Sequence, residues 1–188
     1  MILKEILRKN RSYRRFFQNQ VIGTDILREL VDQARLTPSG RNMQPLKYKL
    51  ANDPAECAKL FPLLAWAGYL TDWDGPEEGE RPAAYIVMCN DTALAAESKW
   101  DQGICAQTIL LGAVEAGYGG CIVGAFAKKE LSDLLGLPEN LVPVLVLALG
   151  VPKERVELTE VQAGDIKYYR DEAGTHFVPK RPLDEIIF

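Results

Sequence analysis

Hydrophobic positions along the chain switch between two periods. From Met1 to Lys9, Ile2, Leu3, Ile6 and Leu7 recur at helical spacing and predict a helix with one apolar face. Ile26, Leu27, Leu30, Val31 and Ala34 form a second helical stripe, predicting a helix over Asp25–Leu36 with Thr24 in the capping position. The period then drops to two: Leu46, Tyr48 and Leu50 alternate with Lys47 and Lys49, the pattern of a half-buried strand. Asp53-Pro54 marks a helix start, Pro taking the first helical position, and that helix is predicted to run to about Ala67. Ala83–Cys89 is an unbroken apolar run, the signature of a strand covered on both faces. Residues 98–117 read as a long, mostly buried helix in which Gly103 and Gly112 permit close packing. Gly117–Gly120 reads as a turn and Cys121–Phe126 as a short apolar segment, with Gly124 and Ala125 leaving the backbone open to a ligand. Lys128–Leu135 is a short helix ended by Gly136, and Val142–Leu149 a second buried strand. The rest, Pro152–Phe188, reads as a polar, irregular tail anchored by Tyr168, Tyr169 and Phe177 and docked by its apolar end.

Two stretches follow neither period. Leu36–Tyr48 (LTPSGRNMQPLKY) combines the turn formers Pro38, Gly40 and Pro45 with the polar side chains Ser39, Arg41, Asn42 and Gln44. A loop held at both ends by rigid elements is a common place for binding groups, and equally a solvated turn. Gly68–Pro82 is acidic, rich in Gly and Pro, and carries Tyr69 and Trp73; a loop of this length reads as a lid or binding segment. A third polar feature, Arg11, Arg14 and Arg15 with Ser12 among them, is either a cluster of anion donors or a solvated helix end.

Composition narrows the function. With 188 residues, 47% hydrophobic and 26% charged, the chain suits a single domain over 1–188. A net charge of −4 and a pI of about 5.2 argue against nucleic acid as a partner, but not against a small anion. Cys57, Cys89, Cys105 and Cys121 show no C-x-x-C spacing and His176 is the single histidine, so no zinc site is expected and the cysteines read as reduced thiols. The N-terminus lacks a signal-peptide pattern and no apolar run is long enough to cross a membrane, so the expectation is a cytoplasmic protein without a membrane partner.

Four separated pieces share one resemblance. Arg11-Ser12-Tyr13-Arg14-Arg15-Phe16 is similar to an R-S-x-R-x-F opening, and Pro38–Pro45 (PSGRNMQP) to P-S-x-x-N-x-Q-P. Gly119–Phe126 (GGCIVGAF) resembles G-x-C-x-x-G-x-F, and Lys180–Glu185 (KRPLDE) an R-[KR]-P-L-x-E tail. In order and spacing these pieces resemble the FMN-dependent nitroreductase family in its short form. The resemblance implies an α+β fold with a mixed, mainly antiparallel sheet surrounded by helices. It also implies a homodimer with two shared FMN sites and a C-terminal tail exchanged across the dimer.

The same resemblance implies roles for particular residues. Arg11 and Arg14 would neutralise the FMN phosphate with help from Ser12, and Lys180 or its neighbour Arg181 would complete the clamp. Asn42 and Gln44 would pair with the ring edge or ribityl hydroxyls, and Pro38 and Ser39 would approach the ring from the other subunit. The Val123-Gly124-Ala125 backbone would lie near flavin N5. No side chain is expected to act as acid, base or nucleophile, because the flavin carries the chemistry. The implied activity is ping-pong hydride transfer from NADH or NADPH through FMN to an electron-poor small molecule such as a nitroaromatic or quinone. Reductive dehalogenation, flavin cleavage and flavin storage or sensing without turnover are the alternatives. The chain departs from the family pattern at Asn10, Leu46-Lys47-Tyr48 and Val178. Trp66, Tyr69, Trp73 and Trp100 are candidates for the substrate side, for the core or for the interface.

Overall fold

A computed structural model describes residues 2–188; Met1, placed in the first predicted helix, lies outside them. In chain order the elements are α1 (Leu3–Lys9), α2 (Thr24–Arg35), β1 (Leu46–Ala51), α3 (Pro54–Leu60), β2 (Ala84–Asp91), α4 (Asp101–Glu115) and β3 (Gly119–Val123). They continue with α5 (Lys128–Leu135), β4 (Leu141–Gly150), β5 (Val156–Glu160), β6 (Tyr169–Arg170), β7 (His176–Lys180) and α6 (Leu183–Ile186). Strands β1 to β4 form an antiparallel sheet in the order β1-β2-β4-β3.

The central strands explain the unbroken apolar runs. On β2 and β4, Ile86, Met88, Leu147 and Leu149 face α2 and α4, where they pack with Leu27, Leu30, Ile109 and Ala113. Their alternates Tyr85, Val87, Val146 and Ala148 face the opposite layer, made of Leu60, Leu64, Trp66 and Leu131. Both faces are covered, so the middle of each strand is apolar on both alternates. Helix α2 lies close on α4 because Gly112 has no side chain: a Cβ there would sit 2.0 Å from Gln33 Oε1 and 3.0 Å from Leu30 Cδ2.

Several boundaries differ from the sequence reading, each for a local reason. Gly23, not Thr24, occupies the N-cap of α2, while Thr24 Oγ1 accepts from Asn52 Nδ2 at 3.1 Å. Asp53 does cap α3, accepting from the Ala55 and Glu56 amides. That helix stops at Leu60, ahead of a 3-10 turn at Phe61–Leu63 containing Pro62, rather than reaching Ala67. Helix α4 spans 101–115 rather than 98–117. Gly119 and Gly120 belong to β3 rather than to a turn, because β4 supplies their ladder partners Gly150 and Leu149.

The tail is ordered rather than irregular. It builds a second sheet, β5-β7-β6, with β5 parallel and β6 antiparallel to β7. Tyr169 stacks on Phe177 and Tyr168 packs at a tilt against His176, so the predicted aromatic anchors are in use. The loop 68–82 is tied to this sheet: Tyr69 packs on Tyr168, and the Arg170 guanidinium lies 4.2 Å above the Trp73 ring.

Candidate functional site

The segment Arg11–Phe16 lies in extended form beside β3. Ser12 bridges Gly120 in parallel, and the Tyr13 amide donates to the Gly120 carbonyl at 3.1 Å. Gly119 makes room, since a Cβ there would meet the Tyr13 ring at 2.6 Å. A buried carboxylate from the far end of the chain fixes the register. Glu154, with no exposed side-chain surface, accepts the Arg14 amide through a short hydrogen bond and the Arg15 amide at 3.3 Å. It also pairs with Arg170 at 3.0 Å. Held in this way, the segment turns Arg11, Ser12 and Arg14 toward one cavity of about 300 Å³.

That cavity gathers the tail as well. Lys180 and Val178 of β7, Tyr168 and His176 line it together with Gln107 and Leu110 of α4 and Ile122 of β3. Arg11 Nη2 donates to the Leu7 carbonyl at 2.7 Å, while its Nε is buried without a partner. Arg14 lies 4.9 Å from the Tyr168 ring centre. Among the described residues, no carboxylate pairs with the side chains of Arg11, Arg14 or Lys180. Three cations thus converge without internal neutralisation, which favours an anion bound among them. Arg181 points elsewhere and pairs with Glu185 at 3.0 Å, so Lys180 is the tail cation at the cavity.

His176 is fully buried at this cavity, and neither ring nitrogen has a hydrogen-bond partner. Its Nδ1 lies 3.8 Å from Glu154, beyond hydrogen-bond reach. Burial, aided by Arg14 and Arg170, holds its pKa down to about 4, so the ring is neutral near pH 7. A neutral imidazole adds no charge to the cation cluster but keeps one donor and one acceptor.

The loop Pro38–Gln44 is built differently. Arg41, Asn42 and Gln44 have φ of 55°, 56° and 50°, a left-handed conformation costing about 1–2 kcal/mol per non-glycine residue. Pro38, Asn42 and Gln44 are exposed. Ser39 faces inward: its hydroxyl donates to Asp101 at 2.5 Å and accepts the Gln44 amide at 2.9 Å. Ser39 and Gln44 line a separate cavity of about 150 Å³ with Asp101 and Cys105.

Helix α4 divides the two cavities. At about 100° per residue, Asp101 and Cys105 share one side, while Gln107 and Leu110 lie roughly 180–240° around from Asp101. The structure therefore brings together Arg11, Ser12, Arg14 and Lys180, and keeps Ser39 and Gln44 of the same chain behind the helix. Neither Pro38 nor Asn42 lines either cavity. Val123 is buried at the end of β3, while Gly124 and Ala125 are exposed. The Ala125 carbonyl accepts the Ala65 amide at 2.9 Å, which fixes this segment. A Cβ on Gly124 would find only Leu145 Cδ2, at 3.9 Å, so one side of this backbone is open.

Sequence reasoning missed Glu154, Asp101 and His176. Each stands alone among ordinary residues, and only a fold that brings in distant amides or cations gives it a role. The aromatic candidates separate clearly: Trp66 is buried against Phe61, Trp73 lies under Arg170, and Trp100 is 77% exposed.

Known proteins resemble this chain in sequence and in fold. The family model described as "Nitroreductase family" matches residues 7–151. A relative in Archaeoglobus fulgidus, named for NADH dehydrogenase and NAD(P)H nitroreductase activities, is 30% identical over 80% of this chain and 85% of its own. The Vibrio harveyi NADPH-flavin oxidoreductase is 27% identical over 82% of this chain and 67% of its own. Among solved structures, an FMN-dependent nitroreductase from Clostridium difficile R20291 superposes with a TM-score of 0.64, at 21% identity, over 81% of this chain and 89% of that one.

Proposed function

The chain belongs to the nitroreductase family, and from that premise we propose that it is an FMN-dependent NAD(P)H oxidoreductase acting on electron-poor small molecules. The observation that carries this reading is the convergence of Arg11, Arg14 and Lys180, all without carboxylate partners, on one cavity. Their chemistry fits a phosphate: two guanidinium forks and an ammonium around space that no acidic side chain fills. FMN, when bound, supplies the two-electron chemistry of a ping-pong cycle between the nicotinamide and an acceptor such as a nitroaromatic or quinone. The chain's own residues bind and orient. Arg11, Ser12, Arg14 and Lys180 hold the phosphate, the open backbone at Gly124–Ala125 faces the ring, and Pro38, Asn42 and Gln44 cover it from a second subunit.

A second subunit is supported by two faces. At about 100° per residue, Trp100, Gly103, Ile104, Gln107 and Leu111 form one stripe along α4, with Trp100 77% and Ile104 40% exposed. Leu3 and Leu7 of the neighbouring α1 extend this apolar surface. β1 is an open sheet edge beside a groove of about 540 Å³ shared with α2, while Leu183, Ile186, Ile187 and Phe188 at the chain end have no apolar cover. A homodimer that covers the α4 stripe and lays each tail on its partner satisfies both faces. It also brings the 38–44 loop of one copy to the cation cavity of the other, which a single chain cannot do across α4. The 188 residues then act as one FMN-binding domain.

The test is FMN titration of the purified protein with fluorescence and visible absorption, beside the Arg11→Ala variant. Tight binding by wild type, weakened about 100-fold in the variant, is the expected outcome, equivalent to about 2.7 kcal/mol. Equal affinity would place the phosphate elsewhere. A flavin that binds but stays oxidised under anaerobic NADH or NADPH would favour the storage or sensing alternative.

A further inference from the structure

Helix α4 begins with a carboxylate that the phosphate and ring contacts leave unused. Asp101 is 4% exposed, and both of its oxygens face the 38–44 loop. Oδ2 accepts the Ser39 hydroxyl at 2.5 Å and Oδ1 accepts the Gly40 amide at 2.9 Å. Ser39 Oγ in turn accepts the Gln44 amide, so one chain of hydrogen bonds runs from α4 across the whole loop. We propose that Asp101 is a positioning residue which, acting through Ser39 and Gly40, locks this loop in the conformation that covers the flavin. The flavin part of this inference rests on the function proposed above.

The loop needs a lock because its conformation is not locally favoured. Arg41, Asn42 and Gln44 all take left-handed backbone angles, which side chains with a Cβ avoid unless the surroundings over-determine them. The surroundings here are few. Thr37 Oγ1 meets Cys105 Sγ at 3.3 Å at the start of the loop, and Pro45 is buried at its end. Between them, among the described residues, the loop's hydrogen bonds to another element all go to Asp101. A carboxylate suits the task because it accepts at both oxygens while both facing groups are donors. Ser39 is thereby assigned a second role: its hydroxyl hydrogen is committed inward, so its backbone is what remains for a ligand. Binding groups held in place before the ligand arrives lose less freedom on binding, so unlocking the loop lowers affinity without removing a contact.

The experiment uses the full chain as wild type, Asp101→Asn, Ser39→Ala, Ser39→Thr and the Asp101→Asn/Ser39→Ala double variant. Two readouts are taken: hydrogen–deuterium exchange over residues 37–45 without flavin, and FMN affinity by titration. The amide of Asp101→Asn offers one acceptor where two are needed. Its loop should exchange at least tenfold faster while the α4 core is unchanged, and its FMN Kd should rise at least tenfold. Ser39→Ala should behave alike, and Ser39→Thr, which keeps the hydroxyl, should stay within twofold of wild type. The double variant should be no more than twofold weaker than the worse single, because one lock is lost only once. Wild-type affinity in Asp101→Asn, fully additive losses, or an equal loss in Ser39→Thr and Ser39→Ala would overturn the assignment. If Asp101→Asn does not fold, the Ser39 pair decides. If wild type binds no FMN, the flavin reading fails, and the exchange data alone decide whether the lock exists.

Discussion

The segment Arg11–Phe16 and the loop Pro38–Gln44 are both polar and irregular, and each hangs on one buried carboxylate. Glu154 grips the first through the Arg14 and Arg15 amides, and Asp101 grips the second through Ser39 and Gly40. Beyond that they differ. The first is laid beside β3 and projects uncompensated cations into a cavity. The second is a left-handed coil whose hydroxyl turns inward and whose amides turn out. One region carries charge on an unstrained backbone, and the other carries shape on a strained one. The lesson is that the polar residues of such a segment divide into those that are presented outward and those that hold the backbone, and that residues far away in sequence can do the holding.

Removing the anchor of the first region should have the largest effect. Glu154→Ala leaves two half-buried amides and Arg170 without their acceptor, and should lower stability by about 3–5 kcal/mol in urea unfolding. A loss below about 1 kcal/mol would mean that β3 alone holds the segment, and that the two anchors are not comparable.

Acid should separate the regions next, since His176 and Glu80, whose pKa values are displaced downward, lie around the first. The depressed His176 pKa means that the unfolded chain takes up a proton near pH 6.5 and the folded chain not until about pH 4. Stability should therefore fall as pH drops from about 6.5 to 4, by up to about 1.4 kcal/mol per pH unit, and level off below. Glu80, which takes hydrogen bonds from Arg15 and Lys153, has its pKa lowered to about 2, so its contribution is complete above pH 4.5 and is lost between about 4.5 and 2. His176→Gln should flatten the upper window and leave the lower one intact. A His176→Gln curve parallel to wild type above pH 4 would remove the histidine from this account.

The smallest contrast is between neighbours on the tail. Lys180→Ala should weaken FMN about tenfold, whereas Arg181→Ala, whose guanidinium is turned to Glu185, should stay within twofold. Reversed sizes would show that the tail turns over on binding.

Much of this was legible in the chain itself. The stripe on α2, the double-faced runs of β2 and β4, the Asp53 cap and the Gly136 stop, with φ 59°, follow from periods and from residues that act on their own backbone. Arg11, Ser12 and Arg14 stood out as a compact cluster, but a phosphate role for them was implied only by the family resemblance. The second sheet was hidden because each β5 residue pairs with a β7 residue twenty positions further on, and no local period marks a strand that pairs in parallel with a distant one. The boundary shifts at Thr24 and Leu60 came from a contact with Asn52 and from the 3-10 turn at Pro62.

Local sequence thus determined where the helices, core strands and polar loops would lie, because helical and strand periods and caps act within a few residues. Tertiary structure alone decided which polar groups work inward and which are left open at a cavity or to solvent. The bond from Glu154 to Arg14 spans 140 residues and that from Asp101 to Ser39 spans 62. An isolated carboxylate becomes an anchor only when folding removes water from it and brings in the donors that replace that water.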